Sequence, residues 1–144
     1  MKKEKLTFFK PEKENNLGQW LVEQGISAGF PSPADDFKEI RISLDKELVK
    51  NKEATFYARV SGNSMENAGL SDGDLIVIDR SLNPENNKIA VCFIEGDFTV
   101  KRIIQKDGKL FLKPENKNYK KITIKKEDQL IIWGIVTYVI KKIK

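Results

Sequence analysis

The chain has 144 residues, with 26 Lys or Arg against 21 Asp or Glu and a net charge of +5; that length suits one compact domain able to fold without metal or disulfide staples. It contains no histidine and one cysteine, which excludes a Ser-His-Asp triad, a Cys-His dyad, a histidine-ligated metal and an intrachain disulfide. No run of ~18 apolar residues is present to span a bilayer, and the N-terminus lacks the apolar stretch of a secretory signal. A cytoplasmic, reducing location is therefore expected. The lysines are scattered among acidic residues. The one dense cluster, Lys141, Lys142 and Lys144, follows a strand-like run, so the expectation is a solvated basic surface and no direct nucleic-acid binding.

Two regions are expected: an irregular N-terminal arm over 1–44 and a β-domain over 45–144. Within the arm, Leu17, Trp20 and Leu21 share one helical face, which predicts a short helix over 17–24 stopped by Gly25. The glycines and prolines between Gly25 and Ala34 forbid a helix or a central strand. That segment should be extended, either as a plain linker or as something another site can grip. A second short helix is expected over 45–50.

Beyond it, strand signals dominate. Residues 54–60 alternate, with Phe56, Ala58 and Val60 opposite Thr55, Tyr57 and Arg59. Leu75-Ile76-Val77-Ile78 is an apolar run bounded by charge. Residues 88–95 and 97–104 predict a hairpin through Glu95-Gly96-Asp97, and Asp107-Gly108 predicts another leading into 110–112. The run over 129–143 is long enough for a bent strand, with Gly134 at the bend or bulge. Many short strands with frequent turns predict a mostly β, compact antiparallel domain. Cys92, inside Ile89-Ala90-Val91-Cys92-Phe93-Ile94, reads as a buried strand residue rather than a reactive thiol.

Two segments bear on chemistry. In Val60-Ser61-Gly62-Asn63-Ser64-Met65 a serine follows a glycine turn at a strand end, where backbone N–H groups can converge on an oxyanion. Ordinary turn chemistry accounts for the same residues. In Asp97-Phe98-Thr99-Val100-Lys101-Arg102, Lys101 shares a strand face with Thr99 and Ile103. That face is either solvated or half-buried. A desolvated lysine is more readily neutral, and a neutral lysine can take a proton from serine.

Taken together, Ser-Gly-Asn-Ser-Met over 61–65, Ser-Asp-Gly-Asp-Leu over 71–75 and Phe-Thr-Val-Lys-Arg over 98–102 resemble the active-site blocks of the LexA/UmuD family of self-cleaving serine–lysine peptidases. Ala28-Gly29-Phe30-Pro31-Ser32-Pro33-Ala34-Asp35 resembles that family's cleavage region. Further matches are Leu112-Lys113-Pro114-Glu115-Asn116, Tyr119 with Ile122 and Ile124, and Gly134-Ile135-Val136. The likeness runs over about residues 25–143.

The resemblance implies Ser64 as nucleophile, Lys101 as general base, a cut between Ala28 and Gly29, and oxyanion donors on the backbone near Asn63 and Ser64. It implies no cofactor and no metal. Only 28 residues precede the cut, too few for a helix-turn-helix domain, so the UmuD branch is expected rather than the repressors. The role implied is in the DNA-damage (SOS) response: a RecA–single-stranded DNA filament stimulates autoproteolysis. The product, a homodimer, then serves a UmuC-like error-prone translesion polymerase. A non-catalytic polymerase-binding module and a prophage repressor-type fragment are the alternatives of the same fold. A signal-peptidase relative, which also pairs serine with lysine, is disfavoured by the lack of an apolar anchor.

Overall fold

The computed structural model of the protein describes residues 5–11 and 41–143. The helix expected over 17–24 and the segment carrying Ala28 and Gly29 lie outside the described residues. The chain divides into two units, and the sheet belongs to the one that joins residues 5–11 to 48–143.

The strands are β1 (Lys5–Phe9), β2 (Thr55–Ser61), β3 (Leu75–Asp79), β4 (Ile89–Ile94), β5 (Asp97–Lys106), β6 (Lys109–Lys113), β7 (Ile122–Thr123) and β8 (Leu130–Ile140). Among the described residues one short α-helix, α1, covers Leu44–Leu48, where a helix over 45–50 was expected. All eight strands form one sheet in the order β1-β2-β3-β8-β4-β5-β6-β7, and each pairing is antiparallel. The mostly β, antiparallel reading of the sequence is thus the observed fold. Among the described residues no helix is long and apolar enough to cross a membrane.

Local chemistry places the turns. The β4–β5 connection puts Glu95 at φ 51° and Gly96 at φ 81°, and the β5–β6 connection puts Asp107 at φ 53° and Gly108 at φ 72°. Two consecutive left-handed residues match the right-handed twist of the flanking strands, which favours glycine at the second position of each turn.

The sheet curls. Phe8 on β1 meets Phe98 on β5 with ring centroids 5.0 Å apart, although four strands lie between them in the sheet order. Inside the curl, Ala58, Val60, Met65, Leu70, Ile76, Ile78, Val91 and Val100 form one core, with Phe8, Phe56, Phe98 and Trp133 packed against it. The other side of β4, β5 and β6 carries a second core of Ala90, Cys92, Ile103, Leu112 and Ile135. Val91 and Cys92, or Ala90 and Val91, therefore serve different cores, as strand alternation requires.

The bend expected at Gly134 is present. Against β4, Val91 pairs with Gly134 and Cys92 with Ile132, so Trp133 is an extra residue. Against β3, Val77 pairs with Tyr138 and Ile78 with Val136, so Thr137 is a second one; its Oγ1 donates to the Val77 carbonyl at 3.2 Å. These two bulges let one long strand turn between β3 and β4 and so close the curl.

One sequence expectation is corrected here. Residues 5–9, read as irregular, form β1 and pair with β2 from Lys5↔Ser61 to Phe9↔Tyr57. Leu6 and Phe8 face the core while Lys5, Thr7 and Phe9 face out. That period-two pattern was present in the sequence, but it is short and surrounded by polar residues, so only the tertiary contacts of Phe8 make it a strand.

Gly134 supplies a test of the packing. A Cβ built there would lie 2.5 Å from Ile78 Cγ2 and 3.3 Å from Arg80 Cγ. Gly134→Ala should therefore lower stability by about 1–3 kcal/mol, the usual cost of overpacking, read as a reduced urea midpoint. An unchanged midpoint would refute the close approach of β3 and β8.

Candidate active site

Ser64 lies on the loop that leaves β2. Gly62, at φ 104°, turns the chain sharply after Ser61. Its N–H is held by Asp72 Oδ1 at 2.8 Å. The next turn is the short 3-10 segment Glu66–Ala68. Met65 anchors the loop: it is 2% exposed, and its carbonyl accepts from the N–H groups of Ala68 at 3.0 Å and Leu70 at 3.2 Å. The second block, Ser71 to Leu75, braces the loop from below. Asp74 Oδ2 accepts from Ser71 N–H at 2.7 Å, and Val60 exchanges backbone bonds with Asp74 and Gly73, both at 2.8 Å.

Lys101 projects from the middle of β5, opposite Ala90 on β4. Strand alternation puts it with Thr99 and Ile103. The face is buried rather than solvated: Lys101 is 6% exposed and Ser64 1%. Lys101 Nζ lies 3.0 Å from Ser64 Oγ, 2.5 Å from Thr99 Oγ1 and 3.1 Å from the Val100 carbonyl. These three oxygens match the three donors of an ammonium. They also suit the neutral amine. The Val100 carbonyl can only accept, whereas both hydroxyls can donate, so a neutral Nζ can turn its lone pair to Ser64 Oγ–H.

A third segment completes the surroundings. Glu115, beyond β6, takes the N–H of Asn67 on its carbonyl at 2.8 Å and donates its own N–H to Met65 Sδ at 3.4 Å. Asn116 Nδ2 donates to the Asn63 carbonyl at 2.7 Å, which also accepts from Glu66 N–H at 3.2 Å. Two donors on that carbonyl fix the plane of the Asn63–Ser64 peptide. Arg102 Nε reaches Glu115 Oε1 at 2.6 Å and Nη1 reaches the Asn87 carbonyl at 2.6 Å, tying this segment to β5. The sequence reading singled out Leu112 to Asn116 as a motif without giving it a task, and it placed Thr99 on the face of Lys101 without giving it a role. The hydroxyl two residues before a strand lysine was the available signal for Thr99, since positions i and i+2 share a face.

Of the expected site residues, Asn63, Ser64 and Lys101 are thus brought together, while Ala28 and Gly29 lie outside the described residues. Among those residues no cluster of three or more His, Cys, Asp or Glu is arranged to hold a metal. A surface cavity of about 650 Å³ is lined by Asp79, Leu82, Val136 and Tyr138 among others, and includes neither Ser64 nor Lys101.

A family profile for peptidase S24-like proteins matches residues 21–137. The chain belongs to the peptidase S24-like family. Relatives within reach of this family include the protein MucA of Salmonella typhimurium, 40% identical over 116 residues that cover 80% of this chain and 79% of MucA. The protein ImpA of Salmonella typhimurium is 36% identical over 132 residues, 92% of this chain and 90% of ImpA. The LexA repressor of Clostridium kluyveri is 39% identical over 99 residues, 69% of this chain and 49% of the repressor. This S24-like chain thus combines a LexA/UmuD-type fold with a buried serine and lysine in hydrogen-bond contact.

Cys92 is a buried thiol that feels the charge of Lys101. Burial pushes its thiol from the usual 9.0 up to about 12, against a smaller downward pull from the charge on Lys101. The folded protein should therefore resist alkylation at Cys92 near pH 8, with full labelling once denaturant is added; rapid labelling of the folded chain would contradict this burial. Below pH 9 the thiol is protonated in both folded and unfolded chains. Between 9.0 and about 12 only the unfolded chain ionises, so the thiol's contribution to stability falls across that window. Cys92→Ala should make the alkaline decline in unfolding free energy shallower.

Proposed function

We propose that the chain is a self-cleaving serine–lysine peptidase of the UmuD kind, acting in the DNA-damage (SOS) response, and that it cuts its own Ala28-Gly29 bond. The observation that carries this reading is the 3.0 Å contact between Ser64 Oγ and Lys101 Nζ in a buried setting. Serine is a weak nucleophile until a neighbouring base accepts its proton, and with no histidine in the chain lysine fills that place. Ser64 Oγ attacks the Ala28 carbonyl as its proton passes to the neutral Lys101 amine. The tetrahedral intermediate collapses, the C–N bond breaks, and Lys101 returns the proton to the leaving Gly29 amine. Water then hydrolyses the Ala28 ester by the reverse use of the same base. Backbone N–H groups near Asn63 and Ser64 stabilise the oxyanion. The peptide held by Asn116 and Glu66 supports that assignment because it is fixed before substrate arrives.

The product, residues 29–144, acts as a homodimeric accessory subunit of a UmuC-like error-prone translesion polymerase in the cytoplasm, and a RecA–single-stranded DNA filament stimulates the cut. The likeness to MucA and ImpA over most of the chain supports this branch of the family. Tyr138 and Ile140, both exposed apolar residues on one face at the end of β8, offer a surface for the second copy. The N-terminal arm over 1–44 supplies the substrate and the domain over 45–144 the catalytic pair.

The test is to incubate the purified chain with RecA, an ATP analogue and single-stranded DNA and to weigh the products. Two fragments, 1–28 and 29–144, are expected; a major break elsewhere would sink the assignment. Ser64→Ala and Lys101→Ala should each abolish the cut in a folded chain, and Lys101→Arg should fail too because a guanidinium stays protonated. An active Lys101→Ala chain would end the serine–lysine reading.

Thr99→Val removes one of the oxygens that hold the Lys101 amine. A hydrogen bond to a charged group contributes ~1.5–3 kcal/mol, so the cut should slow by about ten- to a hundredfold with little change in circular dichroism. Full activity in Thr99→Val would show that Thr99 does not position the base.

A further inference from the structure

Strand β1 is separated from every other strand of the sheet by the Ala28-Gly29 bond in the linear sequence. It is an edge strand with one neighbour, β2. Five residues pair, from Lys5↔Ser61 to Phe9↔Tyr57, and the face that turns inward carries Leu6 and Phe8. Phe8 enters a slot between two aromatic rings of the body, with centroids 5.0 Å from Phe98 and 4.8 Å from Trp133. Lys10 adds an ammonium 5.0 Å from the Phe56 ring. Yet no residue of β1 is fully buried, whereas Ile76, Val77 and Ile78 of β3 are all at 0% exposure. The strand is specifically seated and modestly held.

We propose that the β2 edge and its aromatic slot form a strand-binding site, occupied in the intact chain by residues 5–9, and that scission turns this strand into an exchangeable ligand. The inference rests on the reading that the chain is cut at Ala28-Gly29. While the connection is intact, the strand is presented to its site at an effective concentration of about millimolar. Once cut, occupancy follows the free concentration of the fragment, and dilution to the micromolar range lowers the drive to rebind by about a thousandfold. Departure of β1 uncovers those N–H and C=O groups of β2 that faced it over the five-position register and leaves an open slot beside Phe98 and Trp133. An exposed sheet edge with a side-chain pocket takes extended peptides by strand addition, the backbone giving affinity and the pocket giving specificity. The ligand class is therefore an extended segment with Leu and Phe two residues apart, as in Leu6-Thr7-Phe8.

The test separates this site from the self-cleavage reading. A recognition sequence for a foreign protease is placed between Pro11 and Ala28, and Trp20→Phe leaves Trp133 as the one tryptophan of the two in the chain. Trp133 emission is followed on dilution by about a thousandfold, a span set by the loss of the tether. The uncut chain should keep its emission throughout. The cut chain should shift to the red on dilution and recover when a synthetic peptide of residues 5–11 is added. The same peptide with Phe8→Ala should fail to restore it. A cut chain whose emission ignores both dilution and peptide would overturn the proposal, because the strand would then not exchange. So would a red-shifted cut chain that no concentration of peptide restores, because the site would then not exist without its tether. A chain that never cuts itself, but exchanges its strand after the foreign cut, would count against the proposed function and leave this site standing.

Discussion

The amine of Lys101 is the constraint around which the rest of the molecule is arranged. A buried ammonium without partners costs several kcal/mol, more than a domain of this size can spare. Three oxygens meet it at 2.5–3.1 Å. Each comes from a different kind of structure. The Val100 carbonyl belongs to the strand itself, Thr99 to the same strand face, and Ser64 to a loop from the other side of the sheet order. Two of the three are therefore fixed once β5 is formed. The third, Ser64, has to be delivered, and its delivery is the work of much of the remaining sequence.

That delivery runs through the neighbour of Lys101. Successive side chains on a strand diverge, so Arg102 leaves β5 in another direction and pins Glu115 at 2.6 Å. Glu115 and Asn116 then hold the Ser64 loop at three points, Met65, Asn67 and Asn63. One strand thus carries the partner of the serine at Lys101 and, at Arg102, the strut that sets the serine's loop. Burial of Met65 at 2% exposure makes the same connection to the core, since moving Ser64 would drag its neighbour out of the apolar interior. Neutrality of Cys92 fits this frame as well: with its thiol pushed up to about 12, it adds no competing anion beside the amine.

Much of this was legible in the residues. Glu95-Gly96 and Asp107-Gly108 signalled hairpin turns, and both pairs have positive φ. Gly134 signalled a bend, and a bulge lies beside it at Trp133. Ser64 and Lys101 stood out as a possible pair, and their polar atoms touch. What the sequence did not disclose is long-range. Nothing local in Asn116 says that its amide meets the carbonyl of Asn63, 53 positions earlier. Nothing local in Lys5–Phe9 outweighs its polar surroundings; Phe8 becomes a strand residue because Phe98 and Trp133 wait for it. Thr99 sat in plain view, but a threonine in a strand is ordinary, and its contact with Nζ depends on the face being buried.

Chain order adds a last consequence. Ser64, Lys101 and the groups that hold them, from Gly62 to Asn116, all follow Gly29 in the sequence. A cut between Ala28 and Gly29 therefore removes no atom of the pair or of its supports. On the proposed reading, activity ends because each chain contains one such segment, not because the site is dismantled. The product would keep a competent but idle serine and lysine, and its new property would have to arise elsewhere on the surface. The change open to a domain whose catalytic pair is untouched is loss of what the N-terminal segment covered, and within the described residues that is the outer edge of β2 and the ring faces of Phe98 and Trp133. Catalysis and its outcome would then be placed on different parts of one curled sheet, joined by β5, which carries Phe98 to one and Lys101 to the other.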